Sequence, residues 1–187
     1  MPSKSNTNTR SNQCYMPLWI TEWAIVSSLI CIWDATYVLT RPRSMAKGDL
    51  FHLFSPYATY ITVDPLYGNL KNAFVIGQSW MNYVELTLAL FAVILYHIFK
   101  RKNSGCLLLL IASVMSCSKT VLYFIHDYYE RSLHPHDSPY EIETWQYLLL
   151  FIIPSSLWII FPFCCTWTLG RQIIKILDSS YDKTKSA

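Results

Sequence analysis

Three ionisable side chains interrupt stretches that are otherwise long and apolar: Asp34 in IVSSLICIWDATYVL, Glu85 in WMNYVELTLALFAVIL and Lys119 in LLLLIASVMSCSKTVLYFI. Charge at membrane depth is expensive, so such residues face a bundle interior, find a partner there and mark sites of function. Two carboxyl groups in apolar surroundings suit proton transfer, in which a neutral acid gives up a proton at one point of a substrate and a carboxylate removes one elsewhere. Lys119 beside them would separate the two roles by holding one carboxylate ionised.

The elements that must position these groups follow from composition and run length. The 187 residues are 52% hydrophobic and only 14% charged, with a mean hydropathy of +0.24, whereas a soluble domain carries roughly 25% charged residues. A spanning helix needs ~20 mainly apolar residues, and four segments qualify: about Met16–Leu39, Ile76–Phe99, Cys106–His126 and Trp145–Leu169. The expected fold is therefore an all-α membrane protein. It is a four-transmembrane-helix bundle over residues 16–170, with a disordered tail over 1–15 and a second tail over 171–187. The first apolar run is too long for a cleavable signal, follows a polar leader and lacks a small-residue cleavage site, so it is expected to remain as a span.

Charge in the connections sets the expected orientation. With four spans, nine Lys and Arg fall on the side of the two termini and five on the other, which puts both termini in the cytosol. The ending KTKSA carries Lys183 and Lys185 as the fifth and third residues counted back from the C-terminal end. It looks like a dilysine retrieval signal for the endoplasmic reticulum membrane, which works only on a cytosolic tail. The six cysteines lie in or beside the spans and form no disulfide framework, and no N-x-S/T sequon occurs. A net charge of +3 is accounted for by topology and implies no nucleic-acid partner.

Between the first two spans runs TRPRSMAKGDLFHLFSPYATYITVDPLYGNLKNAF, too polar and proline-rich to span. Its rings Phe51, Phe54, Tyr57, Tyr60 and Tyr67 suit the lipid-water interface, so this connection is expected to be an ordered lumenal cap, either a lid or a plain interfacial loop. At ~1.5 Å per residue, Asp34 lies ~8 Å, Lys119 ~10 Å and Glu85 ~14 Å from the lumenal ends of their spans, with Trp158 at a similar depth. One residue from each helix converges on the lumenal half.

The stretches WDATYVLTRP, VEL within MNYVELTLAL, KTVLYF and PSSLWIIFPF, in that order over about residues 20–170, resemble the emopamil-binding protein family. Its four-helix membrane domain is shared by the sterol Δ8-Δ7 isomerases and the sigma-2 receptor. The resemblance implies a cavity for sterol-like or cationic amphiphilic ligands. Asp34 and Glu85 match the family's two membrane acids, and Trp158 and Pro162 match the Trp and Pro of the last span. Three positions depart from the family. Ser155 stands where the isomerases carry an asparagine, and Lys119 where a polar or acidic residue is usual. Ile30 stands where they carry a histidine that takes part in proton transfer, which argues against ordinary sterol isomerisation.

On this reading Asp34 and Glu85 are the catalytic candidates, and Trp158, Tyr123, Ser155, Trp33, Lys119 and Tyr37 the substrate-binding ones. The rings would stabilise a carbocation through their negative π faces. Each charge also has a structural counterpart: Asp34 pairing with Lys119 or with Arg41 and Arg43, and Lys119 snorkelling to the surface. The clustered donors His134, His136 and Asp137 match no zinc spacing, no nucleotide or hydrolase motif is visible, and neither metal nor cofactor is expected. Two function classes follow: a cofactor-independent isomerase or cyclase acting on a sterol, terpenoid or similar hydrophobic intermediate, and a non-catalytic sterol or cationic-amphiphile binder that regulates lipid handling. The expected partners are a hydrophobic small molecule and membrane lipid, and homodimerisation follows from the family likeness alone.

Overall fold

A computed structural model describes residues 13–133 and 143–185. Of the tail expected to be disordered over residues 1–15, residues 1–12 lie outside the described residues, as do the His134, His136 and Asp137 donors, while Cys14 and Tyr15 are held by hydrogen bonds to the bundle. Seven α-helices run in the order α1 Leu18–Leu39, α2 Phe51–Phe54, α3 Tyr57–Val63, α4 Ala73–His97, α5 Lys102–Leu133, α6 Thr144–Tyr147 and α7 Ile153–Lys185, with no strand among the described residues. Four helical stretches (α1, α4, α5, and α6 continuing into α7) are long and apolar enough to cross a membrane. The chain is an all-α, multi-pass membrane protein, and Leu29, Phe91, Leu122 and Ile160 stand exposed on its outer surface where lipid would cover them.

The helices outrun the apolar stretches for local reasons. α4 starts early because the Asn72 side chain accepts a hydrogen bond from the Val75 amide at 2.9 Å, an N-cap that satisfies one of the free donors of the first turn. The C-terminal end of α5 continues past the apolar run, supported by the Asp127–Arg131 ion pair one turn apart at 2.9 Å. α7 is entered through a π turn at Leu148–Ile152, which widens the backbone where the Pro154 ring would meet the carbonyl of Leu150.

Packing proceeds side by side, α1 on α4, α4 on α5 and α5 on α7. A Cβ at Gly105 would lie 2.8 Å from Tyr96 Cβ and 2.9 Å from the Ala92 carbonyl, so only glycine allows α4 and α5 to approach this closely. The outer helices meet where Trp23 stacks on Phe161 at 4.4 Å and meets Trp158 edge-on at 5.5 Å. At the end of the bundle near both chain termini, residues 14–16 form a strap. Asn103 accepts from the Cys14 amide at 2.7 Å, the Tyr96 hydroxyl from the Met16 amide at 3.0 Å, and the Gln172 side chain both accepts from and donates to the Tyr15 backbone at 2.8 Å.

The connection at the opposite end is folded. Arg41 donates to the carbonyls of Val38, Leu66, Tyr67 and Asn69, drawing the Pro65–Tyr67 turn against the end of α1. Arg131 donates to the Val63 carbonyl at 2.6 Å, fastening α3 to α5. Of the rings expected at a lipid interface, Phe54, Tyr57, Tyr60 and Tyr67 instead build or pack against the core of this cap, and Phe51 stands half-buried outside it. Phe54 and Tyr57 are buried against Tyr37, and Tyr37 and Tyr57 stack at 3.9 Å.

Candidate functional site

Under the cap lies a cavity of about 360 Å³ walled by α1, α3, α4, α5 and the start of α7. Its lining is rich in aromatic rings, including Trp33, Tyr57, Tyr60, Tyr67, Tyr123 and Trp158. Cap and bundle build it jointly, because α3 and the Pro65–Tyr67 turn supply Tyr57, Tyr60 and Tyr67 while the spanning helices supply most of the remaining wall.

Asp34 is the carboxylate of this wall. Tyr57 donates to one of its oxygens at 2.7 Å, and Tyr67 and Asn82 donate to the other at 3.1 and 3.3 Å. Neither pairing expected for Asp34 forms. Arg41 is spent on backbone carbonyls, Arg43 pairs with Asp49 at 2.6 Å on the surface, and Lys119 pairs with Glu85 at 2.8 Å. Burial beside Asp34 pushes the Tyr57 and Tyr67 hydroxyls well above the ordinary tyrosine range, so both stay protonated and act as donors.

Asn82 joins the three membrane charges. Its carbonyl oxygen accepts from Lys119 and its amide nitrogen donates to Asp34. A side-chain amide has one acceptor end and one donor end, so Lys119, a pure donor, fixes which way Asn82 faces. The result is a continuous path Glu85–Lys119–Asn82–Asp34 that crosses from α4 to α5, back to α4 and on to α1, ending on the two cap tyrosines.

A second buried carboxylate lies behind the cavity. Asp64, fully buried, accepts from Tyr123 at 2.6 Å, from Tyr60 at 3.3 Å and from the Leu66 amide at 3.2 Å. Burial pushes its carboxyl up to about 6 against the stabilising bond from Tyr123, and the nearby Asp127 adds to the rise. Tyr60 and Tyr123 thus have one edge on the cavity and the hydroxyl anchored behind it.

Of the residues expected from sequence, Asp34, Trp33, Lys119, Tyr123, Ser155 and Trp158 all line the cavity. Two do not. Glu85 lies behind the wall with Lys119 in front of it, so it is one step removed from any ligand; Tyr37 is packed behind Tyr57 and fully buried. Missed from sequence were Tyr57, Tyr67 and Asn82 as partners of Asp34, and Asp64 as the anchor of Tyr60 and Tyr123. Asp64 did leave a signal, a lone carboxylate ending the aromatic run YATYITV before Pro65. Comparison of the chain with protein-family models, curated proteins and solved structures finds no match.

Proposed function

We propose that the chain is a cofactor-independent isomerase or cyclase of the endoplasmic reticulum membrane, similar to the emopamil-binding protein family, acting on a sterol, terpenoid or similarly hydrophobic intermediate. The observation that carries this reading is Asp34. It is a carboxyl group on the wall of an aromatic cavity at membrane depth, joined through Asn82 to the Glu85–Lys119 pair. With Asp34 in its acid form, an alkene seated in the cavity takes the proton and becomes a carbocation, leaving Asp34 as the carboxylate. Loss of a proton from a neighbouring carbon returns the double bond in a new position and restores the acid. Trp158 and Tyr123, on the same wall, offer π faces to the cation between the two steps. Glu85, held behind Lys119, balances the amine's charge and touches no substrate. Both termini face the cytosol in this reading, following the bias of Lys and Arg.

The test is incubation of microsomes containing the chain with candidate sterol and terpenoid alkenes in heavy water. Deuterium incorporated into product, lost in Asp34→Asn, is expected. Absence of deuterium and of any converted substrate refutes the enzyme. A second reading, a non-catalytic sterol or amphiphile binder, draws on the three protein donors already on Asp34, which suit a fixed anchor. Saturable sterol binding with unchanged lipid decides for it.

A further inference from the structure

The cavity holds one amine, and its bonding is incomplete. An ammonium has three N–H donors. For Lys119 one goes to Glu85 and one to Asn82, and the third has no protein partner among the described residues. Lys119 lines the cavity and is only 15% exposed, so the third donor has the cavity to turn to. A charged donor left unmet away from water is costly, and a hydrogen bond to it is stronger than one between neutral groups. Asp34, the other ionisable group on this wall, is differently placed: its oxygens already receive Tyr57, Tyr67 and Asn82. A ligand ammonium brought to Asp34 would face Lys119 across the Asn82 amide, and a ligand carboxylate brought to Lys119 would face Asp34.

We infer that Lys119 determines specificity. The ligand is a hydrophobic molecule headed by an uncharged oxygen acceptor, a ketone, ester or hydroxyl, that accepts from the third N–H, and lipophilic amines are disfavoured. This rests on the reading of the cavity as a ligand site and names the ligand's polar end.

Two probes of one skeleton test it on the full chain in lipid nanodiscs: radiolabelled cholest-4-en-3-one and a tertiary-amine azasterol. Wild type is compared with Lys119→Met, and with Lys119→Met/Glu85→Gln in case the single change leaves Glu85 unpaired and the protein unfolded. The ketone is expected to bind wild type more tightly than the amine and to lose roughly tenfold or more in both variants, the scale of one bond to a charged donor, while the amine gains. Saturable binding of both probes with an unmoved ratio overturns the inference and leaves the cavity reading standing. Binding of neither probe to wild type overturns both.

Discussion

Asp64 connects the cap to the wall of the cavity, and its titration gives a test with a defined sign. Burial holds this carboxyl at about 6 in the native protein against an ordinary 3.8. At ~1.4 kcal/mol per pH unit this difference is worth about 3 kcal/mol. The folded state binds the proton more tightly than the unfolded chain does. Its contribution is therefore fully present below about pH 4 and is lost as pH rises through about 6. Asp64→Asn removes the titration and keeps one acceptor oxygen, for Tyr123 or for the Leu66 amide, which bond different oxygens of Asp64; the loss of the other bond does not vary with pH. Thermal unfolding of both proteins in detergent from about pH 4 to 8, read as the difference between them, cancels every other titrating group. Wild type should lose about 3 kcal/mol relative to the variant across that window, which is several degrees of Tm for a chain of this size. A difference that stays flat would refute the assignment of burial as the dominant influence. One that grows in favour of wild type with pH would mean that the bond from Tyr123 holds the carboxylate ionised.

Three further outcomes follow from packing and pairing. Lys119→Met leaves Glu85 buried and unpaired and should cost about 3–5 kcal/mol in denaturant unfolding, most of it recovered in Lys119→Met/Glu85→Gln. Gly105→Ala drives a methyl into Tyr96 and the Ala92 carbonyl and should destabilise by about 1–3 kcal/mol; Gly170→Ala, whose nearest neighbour is the flexible Leu110 side chain at 3.4 Å, should be close to neutral. Arg131→Ala removes the bond to the Val63 carbonyl and the partner of Asp127. Hydrogen exchange should then quicken over residues 57–67 by about 1.5–3 kcal/mol in opening free energy, with α1 and α4 unchanged.

The four spans were legible because an apolar run of that length has few other uses, and Asp34, Glu85 and Lys119 because each is the exception within one. What sequence could not supply was who pairs with whom. Lys119 was equally compatible with Asp34 and with Glu85, and the choice depends on the rotation of α5 against α4, which the close approach of Gly105 to Ala92 and Tyr96 helps to set. Tyr57, Tyr60 and Tyr67 were visible as amphipathic rings and so were assigned to the interface. A tyrosine hydroxyl that meets water and one that meets Asp34 have the same local pattern. Asn82 carried no signal at all, since an amide within a turn of an acid is common on helices, and its role exists only once Lys119 and Asp34 stand on opposite sides of it.

The strap at the other end bears on the order in which this protein comes together. Gln172 grips the backbone of Tyr15 across 157 residues of chain. At about 5–20 residues per second, ribosomal synthesis separates those two positions by roughly 8–30 s, far longer than a helix needs to form. α1 therefore enters the bilayer with its strap undocked, and Cys14, Tyr15 and Met16 settle only after the first turns of α5 and much of α7 have been made. Closure of the bundle is a C-terminal event, and a nascent chain that stops short of Gln172 retains every charge of the cavity without the clamp that ties its first helix to its last.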